Sequence, residues 1–219
     1  MKTLLAKTAK ILSAAALLGA LSANAFTEGE DYVKLEKPLP VETGTLVKIF
    51  SYACPFCYKY DKSVTPAVVK KVAGLKYEPF HLKTKGDYGE QASKLFAVLV
   101  VKDRAAGTDL FSENSLFKKA KFAYYKAYHD KKERWGDGKD PEAFLKTGLD
   151  AAGISKADFE AALNDPQVAR LLANWDTSYD VAKIQGVPAF VVNGKYLIYT
   201  AKITSIDAMA QLIEELLKK

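Results

Sequence analysis

Leu46-Val47-Lys48-Ile49-Phe50-Ser51-Tyr52 reads as a strand, and after Cys54 the apolar pattern turns helical through Tyr58, Asp61, Val64 and Val68. Strand thus runs straight into helix, and it does so at the only two cysteines of the chain, Cys54 and Cys57. A second strand is expected over 75–82, where Tyr77, Phe80 and Leu82 supply apolar and aromatic content. From Gly86 to about Asn164 helices follow one another with clear starts and stops. Asp140-Pro141 places a capping side chain before a proline at the first helical position, Gly153 closes that helix, and Ser155 with Asp158 opens the next. Asp165-Pro166 begins a further helix, expected to run through Leu171, Trp175 and Val181 and to stop before Gly186. Val187 to Val192, the turn Asn193-Gly194, and Lys195 to Tyr199 read as a β-hairpin, and an amphipathic helix covers roughly 205–218. This order is α/β, with a helical insertion (85–164) between two halves of one sheet (26–84 and 165–219).

Lys2, Lys7 and Lys10 precede an apolar run from Ile11 to Leu21, and Ala23-Asn24-Ala25 follows, the pattern of a secretory signal peptide cut after Ala25. A membrane anchor would need an apolar run of roughly 20 residues. The mature chain is then 219 − 25 = 194 residues, expected to be soluble and long enough to fold without covalent staples. Removing three signal lysines takes the net charge from +6 to 29 − 26 = +3, so charge argues only weakly for a special partner, and nucleic acid is not expected for an exported chain. Lysines do crowd at Lys118, Lys119 and Lys121 and again at Lys131, Lys132 and Arg134, around Tyr124, Tyr125, Tyr128 and Trp135. A solvated helix face with its aromatics packed inward is favoured there over a surface that steers acidic proteins.

The spacing Cys54-Pro55-Phe56-Cys57 admits few chemistries. Zinc needs four ligands, and His81 and His129 are lone and far apart; covalent haem needs a histidine where Tyr58 stands. As a brace, a bridge across so short a loop constrains the unfolded chain by only roughly 2 kcal/mol. A small strained ring is readily opened by a thiolate, so the pair reads as redox-active. No metal or cofactor is expected beyond the Cys54–Cys57 disulfide itself. Cys54, at the start of a helix, sits where unpaired N–H groups and the helix dipole favour an anion, and is the expected nucleophile. Pro55 fits the first helical turn, and Cys57, one turn on and less exposed, is the expected resolving thiol.

With the strand before Ser51-Tyr52-Ala53-Cys54-Pro55-Phe56-Cys57, the Gly186-Val187-Pro188-Ala189 turn, the Val192-Asn193-Gly194-Lys195-Tyr196 hairpin and the helical insertion, nearly all of the mature chain resembles the DsbA family of periplasmic disulfide oxidases. The resemblance implies a thioredoxin fold, a cis Val187–Pro188 bond facing the cysteines, and reoxidation by a quinone-linked membrane partner of the DsbB type. Phe56 stands where DsbA itself has histidine. Cys-Pro-Phe-Cys is more similar to the DsbL branch, whose membrane partner is DsbI and whose narrower client set includes an arylsulfate sulfotransferase.

Independently of the family, a proline that begins a strand is confined to an edge, an end or a bulge, so Val187 and Pro188 beside a surface Cys-X-X-Cys read as a docking edge for extended substrate. Lys48 interrupts an apolar strand, where many DsbA-like proteins carry an acid. It is expected either to snorkel to solvent or pair quietly with Asp61, about two helical turns after Cys54, or to face the Cys54 thiolate, whose pKa it would lower. The expected activity is the net oxidation of dithiols in exported proteins by a periplasmic monomer. A reductase or isomerase of the same fold is the first alternative, although about twenty residues before the first strand leave no room for the dimerisation domain that exported isomerases carry. A non-catalytic periplasmic chaperone or binding module is the second.

Overall fold

The computed structural model describes residues 26–219, so the expected signal segment lies outside the described residues. Every residue of Thr45–Phe50 is buried, as a strand covered on both faces requires. This strand, β2, is parallel to β3 (Lys76–His81) and antiparallel to β4 (Ala189–Val192). With β5 (Tyr196–Ile198) and the three-residue β1 (Tyr32–Lys34) the sheet has the order β1-β5-β4-β2-β3. Pro79 is tolerated in β3 because that strand is an edge and has no second ladder to serve. The hairpin turn is as expected, with Asn193 and Gly194 both at positive φ (53° and 67°). β1 was not expected from the sequence, since three residues are too few to show a period of two.

The strand before the cysteines is shorter than its apolar run. It ends at Phe50, and Ser51 and Tyr52 leave the sheet, although both stay buried. Helix α1 (Pro55–Lys59), a π-helical turn (Tyr60–Val64) and α2 (Thr65–Lys71) follow. The block after β3 holds α3 (Gly89–Ala105), α4 (Leu116–Tyr125) with a second π-helical turn (Lys126–Asp130), a one-turn α5 (Trp135–Gly138), α6 (Pro141–Ala152) and α7 (Lys156–Ala162). The expected caps are in place: Asp140 accepts from the Ala143 N–H at 2.9 Å, Ser155 from the Asp158 N–H at 3.0 Å, and Gly153 closes α6 at φ 70°. The helix expected from Asp165 to Gly186 is in fact two, α8 (Pro166–Asp176) and α9 (Ser178–Gln185). At the break the Thr177 hydroxyl donates to the Asn174 carbonyl at 2.6 Å, a local bond that competes with the helix ladder. α10 (Ile206–Leu217) ends the chain on a Ser205 cap.

Two apolar clusters sandwich the sheet. Leu46, Phe190, Val192 and Ile198 pack under α2 and α10, while Val47, Ile49, Val191 and Leu197 face the large cluster built with the helical block. This is the thioredoxin arrangement with inserted helices. It places the β2–α1 junction and both cysteines in the large cluster, with Val187, just before β4, beside Cys54.

Candidate active site

Cys54 caps α1 with its own side chain. Its Sγ accepts the Cys57 N–H at 3.2 Å, and the Cys54 backbone is extended (φ −99°, ψ 114°) as a helix cap must be. Both thiols are free. Cys57, expected to be the less exposed, is fully buried, but Cys54, expected at the surface, is itself only 2% exposed; the side chain that stands out is Phe56, 60% exposed. The cover over Cys54 comes from the start of β4, where the Val187 carbonyl oxygen accepts from the Cys54 thiol at 3.1 Å and the Val187–Pro188 bond is cis.

The two sulfurs are electrostatically unequal. A hydrogen bond from the Cys57 thiol, assisted by the N–H groups of Cys57 and Phe56 and by the charge of Lys85, brings Cys54 down to about 7 against the opposing effect of burial. Burial pushes Cys57 well above its ordinary value, and the Lys48 ammonium offsets only part of this. Lys85 gave no signal in the sequence. Its segment is tied to the site by Ser51, whose hydroxyl donates to the Lys85 carbonyl at 2.9 Å and accepts the Ala53 N–H at 3.1 Å.

Lys48 has the partner Asp61. Its ammonium lies 2.6 Å from Asp61 Oδ1, with both side chains buried, and donates to Thr65 Oγ1 at 3.2 Å and to the Cys57 carbonyl at 3.4 Å. It therefore sits beneath Cys57, and its charge acts on that thiol, whereas the one charged side chain among the leading influences on Cys54 is Lys85. A third member of this cluster came from the lysine run read as a solvated face. Lys121 is buried, 3.3 Å from Asp61 Oδ2, and ringed by Phe50, Phe117 and Phe122, while the Tyr125 hydroxyl donates to the same oxygen at 2.9 Å. Burial drives Lys121 down to about 8 although Asp61 opposes it. For Asp61 burial acts upward, and the two ammoniums, Lys121 first, outweigh it and hold the carboxylate below its usual range. The expectation that the aromatics of this run pack inward holds for Tyr124, Tyr125 and Trp135, all buried.

A nucleophile-grade sulfur at a helix start, a buried second sulfur one turn on, and an acceptor carbonyl on the neighbouring segment suit exchange of a disulfide with a second polypeptide. Comparison with known proteins agrees. The family model described as DSBA-like thioredoxin domain matches residues 45–216. The chain is 68% identical over 210 residues to the thiol:disulfide interchange protein DsbL of Escherichia coli O6:H1, covering 95% of each chain. Its fold superposes on the crystal structure of Salmonella enterica serovar Typhimurium DsbL with a TM-score of 0.88 at 68% identity, covering 90% of this chain and all of that one. A DsbA of Proteus mirabilis, 25% identical with a TM-score of 0.68 over 89% of this chain and all of that one, was solved with a non-covalently bound peptide PWATCDS. By its fold, its paired sulfurs and these relatives, the chain belongs to the DSBA-like thioredoxin family, nearest its DsbL branch, and is a protein thiol:disulfide oxidoreductase.

Proposed function

We propose that the chain works in the periplasm after loss of its signal peptide, as a monomer that donates the Cys54–Cys57 disulfide to exported client proteins. The observation that carries this reading is the inequality of the two thiols across one helical turn. A client thiolate attacks Cys54 Sγ; the S–S bond breaks, and Cys57 leaves with the electron pair and takes a proton. A second client thiolate then attacks the client sulfur of the mixed disulfide and displaces Cys54 as a thiolate. Two electrons pass from the client dithiol to the cysteine pair, and no other redox group is required. Cys54 is a good leaving group for the last step because its thiolate is stabilised at the helix start.

The client backbone pairs with Val187, just before β4, with Pro188 setting that segment's course beside Cys54. That a Proteus mirabilis DsbA binds a cysteine-containing peptide non-covalently supports a peptide client, without bearing on where it docks. Phe56, exposed beside Cys54, supplies apolar contact for the residues flanking the client cysteine. Reoxidation falls to a membrane oxidase of the DsbB or DsbI type, and an arylsulfate sulfotransferase is among the expected clients. No helix among the described residues is long and apolar enough to cross a membrane. The test is a trap: Cys57→Ala accumulates mixed disulfides with exported proteins through Cys54, and insulin reduction beside scrambled-protein refolding separates oxidase from reductase or isomerase. A trap formed only in Cys54→Ala reverses the roles, and a chain inert in all assays leaves the binding-module reading.

A further inference from the structure

Along α4 runs an open groove of about 750 Å3 whose apolar floor includes Phe111 and Phe122. Its edges carry Lys62 from the first π-helical turn, Lys118 and Lys119 from α4, and Lys126 and Lys131 at the second π-helical turn, and the buried Lys121 also lines it. Two carboxylates reach the same groove and both are already engaged, Asp61 by Lys48 and Lys121, and Glu113 by Lys118 at 2.6 Å. Lys62, Lys119, Lys126 and Lys131 take part in no salt bridge among the described residues. Four uncompensated ammoniums around an aromatic floor leave a recess whose complement is negative at its rim and apolar at its centre.

Size decides what kind of anion fits. Lys119 and Lys126 are two helical turns apart, roughly 10 Å along the axis, or about three residues of extended chain. A single small anion cannot answer both ends, and lysines that edge a recess do not lie flat on a lipid surface. The groove also adjoins the reactive helix: Tyr58 of α1 packs edge-on against Phe122 at 6.1 Å and carries the Lys62 ammonium 3.7 Å over its ring. From Cys54 the start of β4 is reached at Val187, and α4 is reached one turn down α1, so one client can hold both places and gain effective concentration.

We propose that this groove is a second docking site for client proteins, taking an extended acidic segment that carries an apolar or aromatic side chain among its acids. The proposal rests on the client-oxidation reading, so its test begins without chemistry. A labelled, cysteine-free peptide alternating Asp and Glu with Phe and Leu, and its Asn/Gln counterpart, are titrated with the chain from Phe26 onward and followed by fluorescence anisotropy. The acidic peptide binds and the amide peptide does not; Lys119→Glu/Lys126→Glu/Lys131→Glu weakens binding about tenfold or more, while Lys34→Glu/Lys195→Glu/Lys202→Glu, the same charge change away from the groove, stays within about twofold. Equal weakening by both triple variants would reduce the effect to net charge and overturn the site. Capture of phosphatidylglycerol vesicles through the same three lysines, with no peptide binding, would also overturn it. In a second arm the oxidised chain receives dithiol peptides with and without the acidic segment. With the oxidised chain in stoichiometric amount and a single turnover followed, the segment lowers the peptide concentration that half-saturates the rate at unchanged maximal rate, and the groove variant abolishes that advantage. If peptides are oxidised equally and anisotropy does not separate them, the groove fails and oxidation stands; if anisotropy separates them and nothing is oxidised, the oxidation reading fails and the groove remains a peptide site.

Discussion

Asp61→Asn is the most informative single change, because one buried carboxylate serves two buried ammoniums, Lys48 at 2.6 Å and Lys121 at 3.3 Å. Lys121 is already costly: at about 8 in the folded protein against about 10.4 when unfolded, it lowers stability at pH 7 by about 3 kcal/mol. Without the carboxylate it does better to lose its proton, which at pH 7 costs about 5 kcal/mol from an unfolded pKa of about 10.4, or on the order of 1 to 2 kcal/mol beyond the present cost. Lys48 keeps the Thr65 hydroxyl and the Cys57 carbonyl. The expected destabilisation is therefore on the order of 1 to 2 kcal/mol from Lys121 alone and up to about 3 to 5 kcal/mol for the cluster, the usual effect of breaking a buried ion pair.

The pH dependence identifies the cause. Between about pH 8 and 10.4 the unfolded chain holds the Lys121 proton that the folded chain has released, so native stability rises with pH across that window. In Asp61→Asn, Lys121 gives up its proton at lower pH, and the rise begins below about pH 8. Urea denaturation of the oxidised protein, in which the cysteines do not titrate, should be followed from about pH 6 to 9, below most of the range where tyrosines ionise. Parallel curves for the two proteins, offset by less than about 0.5 kcal/mol, would refute the assignment of Asp61 as the shared counter-ion.

Two further outcomes follow from the same geometry. Lys48→Met should raise the Cys57 thiol further while leaving the Cys54 titration superimposable on that of the parent, since Lys48 lies against the Cys57 carbonyl; thiolate absorbance against pH checks this, and a shift in Cys54 alone would contradict it. His81 is buried with Nδ1 2.8 Å from the Ser93 hydroxyl, and burial brings it down to about 3. Its neutral form is the folded form, so stability present above about pH 6.5 is lost as pH falls towards 3, by up to about 4 to 5 kcal/mol. His81→Phe should flatten that acid limb in urea titrations, and an unchanged slope would place the acid sensitivity elsewhere.

What was legible in the sequence was whatever a local rule could carry. The caps at Asp140, Ser155 and Asp165 are short-range hydrogen bonds between residues two or three apart, and all three are made. The Asn193-Gly194 turn follows from the positive φ that these residues tolerate. The helix break at Thr177 was not legible, because the apolar stripe of Leu171, Trp175 and Val181 continues across it and a single hydroxyl decides the matter. Nor could Lys121 be placed: a lysine beside Lys118 and Lys119 looks like its neighbours until the fold brings Asp61 from a different helix to meet it. The π-helical turn that carries Asp61 has no sequence signature.

The position of Lys48 changes which sulfur the buried charges serve. Had the ammonium faced Cys54, it would have added to a helix start that already brings that thiol to about 7. Beneath Cys57 it acts where the protein is least hospitable to an anion, since burial raises that thiol well above its ordinary value. When a client opens the disulfide at Cys54, the charge departs on Cys57. Two ammoniums and one carboxylate then face one new thiolate, and the cluster passes from a net positive to a balanced state without drawing on solvent. Burial still prevails, so the Cys57 thiolate gains a proton and the step runs forward. Lys48 lowers the cost of the moment before that proton arrives, when the leaving sulfur is most poorly solvated. A cation in the central strand is thus compatible with a buried leaving group only because Asp61 holds it there while leaving its charge in excess.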